Sequence, residues 1–233
     1  MFTGFHSMTQ TDAELATLSL HEERDYRFMS FSASDAVTLG LSIRKRFRGS
    51  SRHVKGKGLV ISIQTIAGHT LFSCTVGDLG HPDGVGDVSL DSWACLEGMV
   101  NVVRRTGHSS FYVEKSMGAM GKTPQEMGIQ GDFRVNGGAF PIWLQNAPCC
   151  PIGVVACYSG SSQDDHTLVV HTVRDYLAKL SRPAGSSTPA PESIPPMINP
   201  HMVNVPPHDV NRESNEWEHA TTDYGISEAP YHP

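Results

Sequence analysis

The apolar positions of this chain change their period several times, and the changes mark its elements. Val169, Val173, Tyr176, Leu177 and Leu180 recur at i, i+4, i+7, i+8 and i+11. That is one face of a helix packed on a sheet. Ser162, with Asp165 three residues on, is placed to cap its start, and Lys179 and Arg182 carry the charge that favours a helix end. Upstream, residues 140–144 and 152–158 are short runs rich in β-branched and aromatic residues, separated by a segment with Asn146, Pro148 and Pro151. Strand, loop, strand is predicted. Residues 58–66 and 69–76 alternate with period two around Ala67-Gly68, which predicts a hairpin.

Helical patterns fill the spaces between. Thr11 caps a run of helix formers that reaches about residue 24. Ser34 is placed to cap a second helix with an inner face of Ala36, Val37, Gly40, Leu41, Ile43 and Phe47. Ser89 or Asp87 precedes a third, whose Trp93, Leu96, Val100 and Val103 fall at i, i+3, i+7 and i+10 and which Gly107 ends. Ser109 caps a further helical segment, and Thr123-Pro124 offers a cap followed by proline at the first helical position. Residues 77–87 hold four glycines and a proline and read as loop. The order is helix, helix, hairpin, helix, helix, hairpin, helix. Strands joined by short turns imply an antiparallel sheet covered by helices, an α/β chain of the α+β class. No strand–helix–strand rhythm with a glycine-rich first turn occurs, which argues against a dinucleotide-binding fold.

Composition divides the chain. Residues 182–233 hold ten of the 15 prolines and two basic residues against seven acids, a net of −5 that leaves −1 of the chain's −6 for the rest. Residues 1–10 read as a flexible N-terminus, 11–181 as one domain, and 182–233 as a proline-rich, acidic, disordered tail. A near-neutral domain without a basic stripe argues against nucleic-acid binding. The cluster from Arg44 to Arg48 reads as a solvated helix end, with a phosphate patch as the alternative. No apolar run reaches the roughly 18 residues of a membrane span, and no signal peptide is visible. Five cysteines, an odd number, fit a reduced, cytoplasmic protein. Cys149-Cys150 lacks a C-x-x-C spacing and reads as small residues filling a tight loop rather than as a redox or metal pair. Residues 116–123 approach a phosphate loop, but Ser116 replaces its first glycine and Pro124 follows almost at once.

Four strings carry a family resemblance: Gly107-His108-Ser109-Ser110; the run from Asn136 through Gly137, Gly138, Ala139, Phe140 and Pro141 to Ile142; Ile152-Gly153-Val154-Val155; and Asp165-His166 with its apolar helix. From about Ala13 to Leu180 the chain resembles the UPF0303 family, which is similar to the wider haem-degrading, HbpS/GlcG-like group. The resemblance implies a profilin-like sandwich, self-assembly into a ring-like homo-oligomer, and binding of haem or another small ligand. Two positions depart from the family's pattern: Asn136 stands where a histidine usually precedes the glycine pair, and Leu96-Glu97-Gly98 stands where basic residues usually follow the tryptophan. The first loses a titratable group, the second a positive charge.

Few residues are left for chemistry. His166 falls in a helix's first turn, where the helix dipole favours neutral imidazole, a proton acceptor or metal ligand. Since residues 166, 170, 173 and 177 share a face, a satisfied core histidine is the competing reading. Asp165 reads as a solvated N-terminal charge or a catalytic partner. His108, Ser109 and Ser110 can supply a base and hydroxyls near Gly137 and Gly138, or merely end one helix and cap the next. Paired glycines either bring backbone N–H groups close to a ligand or turn the chain. Asn136 and Phe140 complete the candidate ligand set, no metal ligands are assigned, and His171 reads as surface. Three functions follow: an oligomeric small-ligand-binding protein, with haem as one candidate ligand; a cofactor-independent isomerase, lyase or hydrolase using His166 or His108; and an adaptor acting through its tail.

Overall fold

The structure, a computed structural model, describes residues 10–79, 88–129 and 131–181. The predicted tail, most of the flexible N-terminus and most of the loop at 77–87 lie outside the described residues.

Ten elements follow one another: α1 (Asp12–Asp25), α2 (Ala33–Arg48), α3 (Ser51–Val54), β1 (Leu59–Thr65), β2 (Thr70–Val76), α4 (Leu90–Thr106), α5 (Ser110–Met120), β3 (Ala139–Ile142), β4 (Gly153–Tyr158) and α6 (Ser162–Leu180). The strands form one antiparallel sheet in the order β2-β1-β4-β3, and Ile61 of β1 lies opposite both Cys74 and Cys157. Period two along β1 sends Leu59, Ile61 and Ile63 to one face and Val60 to the other. The first face packs against Leu39, Ile43 and Phe47 of α2 and Val169 and Val173 of α6. The second packs against Leu96, Met99, Val100 and Val103 of α4. This is the α+β sandwich that the pattern and the resemblance predict.

Several local expectations are corrected. Ser32, not Ser34, caps α2, because Ser32 and Asp35 bond each other reciprocally: the Asp35 N–H donates to Ser32 Oγ at 3.2 Å and the Ser32 N–H to Asp35 at 2.6 Å. Val37 and Leu41 are about half exposed, so the inner face of α2 is narrower than predicted. Ser161 is the N-cap of α6 and Ser162 its first residue, which frees the Ser162 hydroxyl for other partners. The Thr123 N–H does bond Glu126 at 2.7 Å, but Gly128, at φ 68°, belongs to a turn and no helix forms there. The short α3 was not predicted. Trp143 and Leu144 leave the sheet because their backbone pairs with the chain after α1: the Phe28 N–H donates to Trp143 O at 2.8 Å, and the Gln145 N–H to Phe28 O at 2.9 Å.

Candidate functional site

Helix α1 packs on α5 rather than on the sheet, and its buried stripe is Ala16, Ser19 and Glu23. A carboxylate on a buried stripe needs partners. Glu23, 3% exposed, has two. One oxygen accepts the Ser109 N–H at 2.7 Å, and the other lies 2.8 Å from His108 Nδ1. Its neighbour Glu22 reaches a different helix, and its carboxylate lies 3.0 Å from His166 Nε2. Two consecutive glutamates thus hold two imidazoles that stand 58 positions apart. Ser19 Oγ adds a contact of 2.9 Å to Ser109 Oγ.

His166 is 4% exposed. Phe111 lies parallel to it, with ring centroids 4.2 Å apart and 15° between planes, and Phe140 sits at 6.3 Å. Its Nδ1 has no hydrogen-bond partner among the described residues. Beside it is a hollow of about 130 Å³, walled by Leu15, Leu18 and Phe111 and carrying the polar groups of Ser19, Glu22 and Gln163. His171, exposed as the sequence suggests, stands at its edge. His108 is more open, and the hydrogen bond with Glu23 raises its pKa above the ordinary histidine value.

The other candidate residues have structural partners. Asp165 is fully buried, not a solvated helix charge. Ser159 donates to it from its N–H at 2.7 Å and its hydroxyl at 2.5 Å, and Arg52 of α3 donates at 2.8 Å. Burial pushes its pKa up, while Ser159 and Arg52 pull it back in part. Neither Asp165 nor these partners line the hollow beside His166.

The Gly137 N–H is not free for a ligand: it donates to Glu114 and to Ser162 Oγ, both at 2.8 Å, and the Ser162 hydroxyl also bonds Glu114. Gly138, at φ 134°, gives its carbonyl to the Cys157 N–H at 2.9 Å. Ser109 caps α5 through the Tyr112 N–H at 3.1 Å, and Ser110 accepts the Ala139 N–H at 3.0 Å. Asn136 is exposed. The glycine pair does lie against the same ring as His166, since a Cβ on Gly137 would meet Phe111 Cδ2 at 2.6 Å. Phe111 therefore separates the glycine backbone from the imidazole, and no glycine lines the hollow.

Glu22, Glu23, Ser19, Phe111 and Arg52 were not singled out by the sequence. One signal was present: Ala16, Ser19 and Glu23 fall at i, i+3 and i+7, which places a carboxylate on the packed stripe of α1.

The chain matches the family described as haem degrading protein HbpS-like over residues 31–174. It is 29% identical to a UPF0303 protein of Schizosaccharomyces pombe over 167 residues, covering 70% of this chain and 84% of that one. Among solved structures it resembles the Ybr137w protein, with a TM-score of 0.60 at 23% identity over 71% of this chain and 88% of the other. It also matches HbpS, with a TM-score of 0.43 at 13% identity over 78% of this chain and 100% of the other. Both imidazoles lie inside the matched residues and α1 lies before them. The chain belongs to the family described as haem degrading protein HbpS-like.

Proposed function

We propose that the chain is a self-associating protein that binds a small organic ligand, with His166 as its principal polar contact. The observation that carries this reading is the Glu22–His166 pair at the edge of a hollow that combines Leu15, Leu18 and Phe111 with several polar groups. Convergent polar groups beside apolar and aromatic side chains are what a small-molecule site uses to fix its ligand. Self-association is supported by β2, an edge strand of seven residues without a charge. Leu18, 47% exposed at the hollow, adds apolar surface. A reduced, cytoplasmic setting belongs to the same reading, in keeping with five free cysteines. Among the described residues, no helix is long and apolar enough to cross a membrane.

The residues around His166 do not fit haem. Pockets for drug-sized ligands run to about 300–1,000 Å³, and the hollow here is about 130 Å³. The imidazole is 4% exposed and its Nε2 faces Glu22, so an iron could reach that atom only by displacing the Glu22 carboxylate. A smaller molecule with a hydrogen-bonding head is the ligand class that suits this volume. Native mass spectrometry of the protein purified from its own host tests the proposal. A multimer with a retained small mass is expected, the mass being lost on His166→Ala. A monomer that retains nothing would overturn it.

A second reading rests on the same pair. A carboxylate on one imidazole nitrogen, with the other nitrogen unpartnered, is the arrangement of a general base. Glu22 would orient His166 as a positioning residue, and Nδ1, buried in this structure, would take the proton once a substrate displaces the groups over it. The glycine amides do not serve as an anion site in it, because Gly137 already donates to Glu114. Turnover of a candidate substrate unchanged by His166→Gln would rule this reading out.

A further inference from the structure

The loop between β3 and β4 carries adjacent cysteines that neither the fold nor the histidine site uses. Cys149 and Cys150 are both exposed, which corrects the reading of small residues filling a tight loop. The loop around them is held in place: Pro148 and Pro151 flank the pair, the Ile152 N–H donates to Ile142 O at 2.9 Å, and Leu144 bridges to Ala147. The other three cysteines are less available, with Cys157 buried and Cys74 and Cys95 half-buried.

We propose that Cys149 and Cys150 form a vicinal dithiol site whose substrate is a low-molecular-weight disulfide, glutathione disulfide being the representative. The Cys149 thiolate attacks one sulfur of the disulfide, forms a mixed disulfide and expels one glutathione thiolate. Cys150 then gives up its proton, attacks the Cys149 sulfur and expels the second glutathione. Two electrons pass from the pair to the oxidant, and the two thiol protons end on the two glutathiones. Adjacency makes the second step intramolecular and fast relative to capture by another thiol. Reversal is also easy. Neighbouring Cα atoms stand about 3.8 Å apart across a trans peptide, closer than the roughly 4.4–6.8 Å of an unstrained disulfide. Exposed or strained disulfides are the labile ones. The neighbouring Cys149 thiol raises the pKa of Cys150, which suits Cys150 to the resolving step.

The test uses the full chain in its native state. The protein is treated with glutathione disulfide, remaining thiols are alkylated, and the peptide spanning Cys149 and Cys150 is weighed before and after dithiothreitol. The expected product lacks two hydrogens, carries no glutathione or alkyl group, and reverts on reduction. With Cys150→Ser the reaction should stop at a stable glutathione adduct on Cys149. A stable adduct on the wild-type pair, a disulfide between two chains, or a pair that is alkylated at both sulfurs after oxidation would each overturn the proposal.

Discussion

The ring of Phe111 lies 4.2 Å from the ring of His166, nearly parallel to it. Stacked aromatic pairs contribute about 0.5–1.5 kcal/mol beyond the area they bury. A double-mutant cycle with Phe111→Leu and His166→Leu should therefore give a coupling energy of about 1 kcal/mol in urea unfolding. Additive losses would show that the stacking contributes nothing to stability.

The Glu23–His108 pair gives stability a pH dependence. The hydrogen bond to Glu23 raises the folded-state pKa of His108 above its value in the unfolded chain. The stabilisation is therefore complete below the unfolded value of about 6.5, and it fades as pH rises through the folded one. Urea midpoints measured across this range should fall with pH in the wild type. In His108→Gln that part of the slope should vanish. The half-exposed position of His108 keeps the effect small.

Gly138 has no room for a side chain. A Cβ there would stand 2.3 Å from the Cys157 carbonyl oxygen, at a φ of 134° that L residues rarely adopt. The backbone conformation alone costs about 1–3 kcal/mol, and the clash adds to it. Gly138→Ala should unfold at a clearly lower temperature than Gly121→Ala, where φ is 64° and no atom outside its immediate neighbours lies within 4 Å. Equal melting temperatures would contradict the clash.

Asp165 depends on Arg52. Removing one partner of a buried ion pair costs about 3–5 kcal/mol, because a charge is left without compensation. Asp165 keeps both Ser159 hydrogen bonds in Arg52→Ala, so the loss should fall near the lower figure. Guanidinium unfolding measures it. A loss below about 1 kcal/mol would mean that Ser159 alone satisfies the carboxylate.

Short-range patterns made most of the fold legible before the structure. Period two marked β1 and β2, the spacing of Val169, Val173 and Tyr176 marked α6, and Gly107 ended α4 in a left-handed cap as its position implies. What the sequence hid was set at long range. Asp165 looks like an ordinary first-turn acid until Arg52, 113 residues away, closes on it. Ser162 looks like a cap because nothing local shows that Glu114 competes for its hydroxyl. The candidate histidines were visible as titratable groups, but their carboxylate partners lie 85 and 144 positions upstream, in a helix that reads only as a capped run of helix formers.

Helix α1 ends before the stretch that the chain shares with its family, at residues 31–174. Both imidazoles lie within those residues, while their acidic tethers, Glu22 and Glu23, lie ahead of them. Stripping that segment away would bare two rings, the Ser109 amide and the face of Phe111 at one stroke, turning a small closed nook into an open basin. Changing Glu22 or Glu23 alone would then free one ring or the other, with the sheet behind them untouched.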